Sequence, residues 1–322
     1  MSLHEATFWT PFPRPIVLGL SITMIVLSVL LIFCYMTLFR LLQNHVTFKK
    51  NVFYFMISNI CILDIAFTYG TALAAIMSVK QSREFPLVYE LCSAIHAVYG
   101  WTIHLLSLMV ALKIVISVFC WEMKYTSKIL KFLTLFIWKA LFINLHVNDM
   151  VKIELTYVFE VINFAVNLGN PKAKGVYSIV FYLNISFLAV TLFFYALVIT
   201  SFLLKKHKVI KSNPIEDRDI RMLKQGLATC LPAALYFLIN NVVDAAVQKA
   251  SLEMSIFMSL LPRIVPICNF VGLLVVNDEL RSLYWKSLKT RFCCCCSGTQ
   301  AVEKFELKKG TLTSSSSNEK SV

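Results

Sequence analysis

Ionisable side chains stand inside long apolar stretches of this chain: Asp64, His104, Lys139 and Arg263. Burying an unpaired charge in hydrocarbon costs several kcal/mol, so such residues face a cavity, pair with one another or bind an ion or ligand. The chain has no His-Glu-x-x-His motif, no Gly-x-Ser-x-Gly motif and no paired aspartates in an apolar stretch. Asp64 and Arg263 therefore predict switching and binding rather than catalysis, and no enzyme is expected.

The elements that position these side chains are seven apolar runs, each close to the roughly 20 residues that a helix needs to cross a bilayer. The runs are residues 15–39, 51–78, 92–118, 129–147, 176–204, 224–246 and 254–277. The chain is 58% hydrophobic and 15% charged, whereas soluble domains are about 45–50% apolar and about 25% charged. The alternative, buried helices of a large soluble protein, would need loops that cover far more apolar surface than these loops can. The sequence predicts an all-α membrane protein, a seven-transmembrane helix bundle.

The fourth run is the weakest of the seven. Lys128 and Lys131 crowd its start, and Lys139 lies inside it. A lysine within a span is tolerated where it faces a cavity or extends to the membrane surface. The number of spans, and with it the orientation of the C-terminal half, depends on this run.

Basic residues predict the orientation of the bundle. One set of loops is rich in lysine and arginine: Arg40, Lys49, Lys50, Lys124, Lys128, Lys205, Lys206, Lys208, Lys211, Arg218, Arg221, Arg281, Lys286, Lys289 and Arg291. The other set mixes both signs. Because basic loops remain in the cytosol, residues 1–14 are predicted to be extracellular and the C-terminus cytoplasmic, in the plasma membrane. The net charge of +13 then reflects contact with membrane lipids, and no nucleic-acid partner is expected.

The segment after the last span predicts a membrane anchor. Residues 278–296 combine a basic amphipathic stretch with four consecutive cysteines, Cys293, Cys294, Cys295 and Cys296. Cysteines beside an amphipathic membrane helix are typical palmitoylation sites. The alternative, a metal site, is disfavoured because adjacent cysteines do not converge on a tetrahedral ion as spaced pairs do. Residues 297–322 are polar, without apolar periodicity, and are predicted to be a disordered tail.

Short motifs in the spans resemble those of the rhodopsin-like G-protein-coupled receptors. Asp64 ends a Ser-Asn-x-x-x-x-Asp stretch in the second span, and Trp138 is a single tryptophan in the fourth. Thr229-Cys230-Leu231-Pro232 is similar to the family's Cys-Trp-x-Pro motif, with Cys230 in place of tryptophan. Asn269-Phe270-Val271-Gly272-Leu273 stands where the family has Asn-Pro-x-x-Tyr. The resemblance covers approximately residues 15–292.

Two departures from the family pattern affect the expected mechanism. Lys113-Ile114-Val115 stands where the family has Asp-Arg-Tyr, the arginine of which normally reaches the G protein. Cys92 could occupy the third-span position of the family's extracellular disulfide, but the loop 146–175 has no cysteine. Cys92 is then free and buried, or paired elsewhere. Such degenerate motifs resemble the divergent nematode serpentine chemoreceptors.

The resemblance implies a chemosensory receptor that binds an external small molecule or peptide in the outer half of the bundle and signals to a cytosolic G protein. The residues expected at the ligand are Arg263, His96, Tyr99, Tyr236 and Asn240. An arginine in a span could bind a carboxylate or phosphate of a ligand, pair internally with Glu253 or Asp244, or extend to the surface. His96 could equally be satisfied by a neighbouring group.

The resemblance also implies a switch in the core of the bundle. Its expected members are Asp64, Asn269, Cys230 and Pro232. In the family the aspartate helps to hold a sodium ion, so sodium is a possible cofactor near Asp64. The alternative is a neutral carboxyl, hydrogen-bonded to neighbouring helices. The expected G-protein contacts are Lys113, Lys205, Lys206, Lys208 and Arg221.

A transporter of a small, possibly anionic, solute is the competing function. Secondary transporters also bury ionisable residues in their spans, but most are built from two matching halves with broken helices. We find no self-similarity between residues 15–128 and the rest of this chain, and seven spans do not divide evenly. A receptor is therefore the favoured prediction.

Overall fold

The computed structural model describes residues 12–80, 86–119, 125–151, 155–158, 163–166, 171–206, 217–246 and 251–296. The helices in this part of the chain are α1 (Arg14–Asn44), α2 (Val46–Lys49), α3 (Val52–Lys80), α4 (Pro86–Val118), α5 (Thr126–Val151), α6 (Pro171–Lys206), α7 (Asp217–Ala246), α8 (Leu252–Val276) and α9 (Asp278–Cys296). Two strands, β1 (Leu155–Val158) and β2 (Asn163–Val166), lie between α5 and α6.

Six helices among the described residues are long and apolar enough to cross a membrane: α1, α3, α4, α6, α7 and α8. They contain six of the seven runs predicted from hydropathy. The remaining run, 129–147, lies in α5, which packs against α3 and α4 but is not among the six. Side chains of α5 are described only as far as Lys139, so its role as a span stays a prediction. The chain is a multi-pass membrane protein.

Several helices extend beyond the predicted spans. The first run was expected to end at Phe39, whereas α1 continues to Asn44. The sixth was expected from Lys224, whereas α7 begins at Asp217. Hydropathy locates only the part of a helix that matches the hydrocarbon, and backbone hydrogen bonds carry the helix further into the polar region.

The hairpin after α5 was not expected from the sequence. Strands β1 and β2 pair antiparallel, with Leu155 opposite Val166 and Val158 opposite Asn163. Each strand has four residues, of which several are β-branched or aromatic, and such residues favour strands. The loop 146–175 therefore contains local structure that a search for membrane-length apolar runs does not detect.

Helix α4 is at the centre of the bundle, because it contacts α3, α5, α6 and α7. Each helix that could cross a membrane contains an 18-residue apolar stretch. In both α3 and α4, 67% of this stretch is buried, compared with 22% in α1 and 28% in α6. Helices α1 and α6 therefore lie at the periphery and present apolar faces to lipid. This arrangement brings polar residues of α3 and α4 into the interior, where the candidate site lies.

Gly272 allows the close approach of α8 to α7. A Cβ atom at this position would lie 2.9 Å from the Cβ of Ala228 and 3.3 Å from its carbonyl oxygen. The backbone oxygen cannot move without moving α7, so Gly272→Ala should lower the free energy of unfolding by about 1–3 kcal/mol. Thermal unfolding of the purified protein in detergent measures the effect.

Gly100 provides the matched control for this prediction. A Cβ atom there would meet no atom within 4 Å, and Ala is a better helix former than Gly by about 1 kcal/mol. Gly100→Ala should therefore leave the midpoint temperature of thermal unfolding unchanged or raise it. Equal losses at both positions would contradict the close packing of α7 on α8.

Candidate functional site

Asp64 is the centre of a buried polar network that joins four helices. The Tyr99 hydroxyl of α4 donates to Asp64 Oδ1 over 2.7 Å, and the Asn269 amide of α8 donates to Oδ2 over 3.1 Å. The Tyr35 hydroxyl of α1 lies 2.6 Å from Oδ2. All four side chains are at most 2% exposed. The carboxyl therefore holds α1, α3, α4 and α8 together.

The number of hydrogens available for these hydrogen bonds indicates whether the Asp64 carboxyl is protonated. The Tyr35 hydroxyl is close to two acceptors, Asp64 Oδ2 and the Pro266 carbonyl oxygen, which lies 2.7 Å away. A hydroxyl has one hydrogen to donate. Both contacts are full hydrogen bonds if Oδ2 carries a proton and donates it to Tyr35, while Tyr35 donates to Pro266. The geometry thus favours the neutral carboxyl, one of the two alternatives left open by the sequence.

The arrangement around Asp64 does not fit a sodium ion in this packing. Both carboxyl oxygens are already hydrogen-bonded, and the groups that surround them are two hydroxyls and an amide nitrogen. A cation is coordinated by oxygen lone pairs, so these groups would have to turn their hydrogens away before an ion could enter. A hydrogen-bonded carboxyl is the better description of this site.

An aromatic column connects the Asp64 network to α9. The Phe270 ring packs edge-on against Tyr35, with centroids 5.4 Å apart, and against Tyr284 of α9 at 5.6 Å. Asn277 begins α9: its Oδ1 accepts from the Leu280 amide over 3.0 Å, and its Nδ2 donates to the Tyr54 hydroxyl over 2.9 Å. Helix α9 is therefore fixed to α1, α3 and α8 at the end of the bundle that is predicted to be cytosolic.

Three of the five expected ligand residues lie close to Phe67 of α3. Its ring stacks on Tyr99 with centroids 4.0 Å apart and packs on His96 at 4.8 Å. Phe67 also lines a cavity together with Arg263. Nδ1 of His96 lies 2.8 Å from the Cys92 carbonyl oxygen, so this ring nitrogen has a hydrogen-bond partner on its own helix. This is the alternative to a ligand contact that the sequence left open for His96.

The remaining two expected ligand residues are on α7. Tyr236 is partly buried and packs against the main core. Asn240 is within α7, but its side chain lies outside the described residues. The expected ligand set thus stays a prediction, with its described members placed between α3, α4 and α8 and at the inner face of α7.

A contact at the predicted cytosolic end joins α4 to α7. The Ser117 hydroxyl donates to Asp219 Oδ1 over 3.0 Å. Lys113, one turn away on α4, is only 6% exposed, so a G protein could reach it only after the helices part. Arg221 is exposed. Side chains of the other expected contacts lie outside the described residues: Lys205, Lys206 and Lys208.

The expected switch residues of α7 lie in a tightly packed part of the helix that contains a proline. Pro232 is inside the helix, where it removes a backbone hydrogen bond and favours a kink. Cys230 is 1% exposed. One turn earlier, a Cβ atom on Gly226 would lie 2.6 Å from the Tyr195 hydroxyl and 2.8 Å from Ile114 Cδ1. Glycine here lets α7 approach α6 and α4 closely.

The fourth-span tryptophan and the free cysteine can also be placed. Trp138 Nε1 donates to Asn59 Oδ1 over 2.7 Å, which ties α5 to α3. Cys92 is buried and forms no disulfide with the other described cysteines. Trp138 thus has a packing role, and for Cys92 the structure shows the free, buried thiol that was one of the two alternatives.

Tyr35 and Ser117 were missed in the sequence, since neither belongs to a motif that the chain shares with the receptor family. Tyr35 gave one usable signal, since a hydroxyl within an apolar run normally has a buried partner. Ser117 and Asp219 are separated by 102 residues and gave none.

The comparisons with known proteins define the class of fold. No protein-family model matches the chain, and no curated protein matches it. Among solved structures, the chain is similar to the crystal structure of squid rhodopsin, with a TM-score of 0.69 over 92% of this chain and 91% of that chain. The sequences are 12% identical, so the likeness concerns the fold. The expected fold class is confirmed: this is an all-helical membrane bundle with a rhodopsin-like fold.

Proposed function

We propose that this chain is a G-protein-coupled receptor that senses an external chemical in the outer half of its bundle and signals to a cytosolic G protein. The observation that carries the proposal is the rhodopsin-like fold over 92% of the chain. A receptor of this kind exists in two packings, and a ligand acts by preferring one of them. The ligand is a small molecule or peptide, and the chain belongs to the chemosensory receptors that resemble the nematode serpentine family.

Two contacts in the described part support this proposal. The Asp64 network joins helices that line the expected ligand region, and the column through Phe270 continues from it to α9. Also at the predicted cytosolic end of the bundle, the Ser117–Asp219 hydrogen bond holds α7 against α4. Together they offer a route by which a change near Phe67 could alter the cytosolic ends of the helices.

The first experiment is a topology map. Tags at the N-terminus, within residues 149–174, which are predicted to be extracellular, and at the C-terminus are probed with antibodies in intact and permeabilised cells. The receptor proposal requires the first two tags outside and the third inside. If both termini are cytosolic, the bundle has an even number of spans, and a transporter of a small anionic solute becomes the better proposal. A compound screen with a G-protein activation readout then tests signalling.

We further propose that Cys293, Cys294, Cys295 and Cys296 are palmitoylated. These residues end α9, which is anchored to the bundle through Asn277 and Tyr284. Helix α9 therefore holds its end beside the membrane, where acyl chains could insert at about 0.8 kcal/mol per buried CH₂. Hydroxylamine-dependent acyl exchange should label the chain, and replacing the four cysteines by serine should abolish the label. Cys34, Cys61 and Cys268, which are in the spans, are unchanged in this variant and serve as its internal control.

A further inference from the structure

A cavity between α1, α3 and α8 opens toward the membrane. Its volume is about 140 Å³, and its lining includes Leu27 of α1 and Ile264 of α8, whose side chains are 48% and 41% exposed. In a helix bundle without water around it, such apolar exposure on peripheral helices faces lipid hydrocarbon. The mouth between α1 and α8 is therefore accessible from the bilayer.

The lining of the cavity includes a charged side chain and residues that contact the Asp64 network. Arg263 is the charged side chain among the lining residues. The lining also includes Thr68, the hydroxyl of which donates to the Asp64 carbonyl oxygen, and Pro266, the carbonyl of which is 2.7 Å from the Tyr35 hydroxyl. Phe67 forms another part of the wall and stacks on Tyr99. A molecule in this cavity would contact Phe67, Thr68 and Pro266, which in turn contact members of the Asp64 network.

We propose that this cavity binds the head of a single-chain amphiphile that bears an oxyanion, a carboxylate or a phosphate, and enters from the bilayer between α1 and α8 to pair with Arg263. The inference deepens the proposed receptor function by naming its ligand class, and it rests on that function for its biological meaning.

The charge of the cavity selects the head group. A guanidinium in the membrane interior is favoured by an anionic partner, and its planar N–H groups bind a carboxylate or phosphate through paired hydrogen bonds. The rest of the wall is largely apolar, and the hydroxyls of Thr68 and Thr71 are already bonded to backbone carbonyls of their own helix. A neutral or cationic head group would gain little here.

The size of the cavity determines how much of the ligand it holds. A dry protein cavity of about 150 Å³ holds one benzene molecule, so this cavity accommodates a head group and a few carbons. The remainder of a long chain must extend through the mouth. Because the mouth opens beside Leu27 and Ile264, the chain would lie among lipid tails, where it loses no hydrophobic stabilisation.

Photolabelling of the full-length protein in phosphatidylcholine vesicles tests the proposal. The probe is a 16-carbon fatty acid with a diazirine close to its carboxylate. We expect crosslinks to peptides of α1, α3 and α8, the three helices that line the cavity. Excess palmitate and hexadecyl phosphate should suppress them, whereas hexadecanol at the same membrane concentration should not. If hexadecanol competes equally, or if the crosslinks fall elsewhere in the chain, the proposed site is wrong. Competition by only one of the two anions identifies the head group.

Two pairs of variants distinguish a specific site from loss of folding. Arg263→Gln should lower labelling about tenfold or more, as expected for loss of a charge-assisted pair, and Arg263→Lys should retain part of it. Lys139→Gln, which removes an exposed cation of α5, is the matched control and should label normally. Leu27→Trp keeps the charge but obstructs the mouth, and should also reduce labelling. Normal labelling of both Arg263→Gln and Leu27→Trp would overturn the proposal.

The assay separates this inference from the proposed function, because labelling requires no G protein. Specific labelling without any G-protein activation would retain the amphiphile site and count against the receptor. Activation by a compound that neither competes with the probe nor depends on Arg263, combined with the absence of specific labelling, would retain the receptor and reject the site.

Discussion

Replacing Asp64 by alanine is expected to destabilise the bundle by roughly 2–6 kcal/mol, since each buried donor that loses its partner costs about 1–3 kcal/mol. The donors concerned are the Tyr99 hydroxyl and the Asn269 amide, and the Tyr35 hydroxyl loses the hydrogen bond that Oδ2 donates to it. These groups come from three helices that contact α3, so the loss of their hydrogen bonds loosens several interfaces together. Thermal unfolding of the purified protein, followed by a thiol-reactive dye or by tryptophan emission, measures the change.

The variant Asp64→Asn tests whether the Asp64 carboxyl is neutral or charged. An asparagine amide can donate to Tyr35 in place of a protonated Oδ2 and still accept from Tyr99. Asn269 now donates to Oδ2, and it would have to rotate its amide so that its Oδ1 accepts from the new amide nitrogen. A neutral site then tolerates the replacement within about 1 kcal/mol. A charged carboxylate would lose its charge-assisted hydrogen bonds, each worth about 1.5–3 kcal/mol. If Asp64→Asn destabilises the bundle as much as Asp64→Ala, the assignment of a neutral carboxyl is contradicted. Asp278→Ala, on exposed α9, is the surface control and should cost less than about 1 kcal/mol.

Removing the Ser117 hydroxyl is expected to raise basal signalling if the chain is the proposed receptor. Ser117→Ala deletes the hydrogen bond to Asp219 that joins α4 and α7. A hydrogen bond to a charged group contributes about 1.5–3 kcal/mol, and 1.4 kcal/mol is a factor of ten in an equilibrium constant. The population of molecules in which α4 and α7 have moved apart, relative to those in which they are in contact, should therefore rise about tenfold or more. Nucleotide exchange on a co-purified or added G protein, without ligand, is the readout.

Controls for this prediction use the same type of substitution elsewhere. Ser186 on α6 donates to the Tyr182 carbonyl of its own helix, so Ser186→Ala removes a hydroxyl but no contact between helices. It should leave basal exchange unchanged. Asp219→Ala should reproduce the effect of Ser117→Ala, and the double variant should add little to either. Additive effects would show that the two residues act separately.

The motifs that resemble those of the receptor family named two residues that the structure brings together. Asp64 and Asn269 are 205 residues apart and are hydrogen-bonded, and both were expected in the switch. Lys113 was expected to contact a G protein from its position in the chain, whereas packing of α4 buries its side chain. The hairpin Leu155–Val158 and Asn163–Val166 was missed for a different reason, since four-residue strands leave little periodicity to detect.

The sequence by itself determined that this protein lies in a membrane and where most of its helices cross. Transfer of an apolar stretch into hydrocarbon depends on the composition of about 20 consecutive residues, so it can be read locally. The partners of Asp64 depended on tertiary structure alone. Tyr35 and Tyr99 are 29 and 35 residues away on other helices, and helix rotation decides which side chains face each other. The cavity beside Arg263 arises in the same way, from the separation of α1, α3 and α8, which no single stretch of sequence encodes.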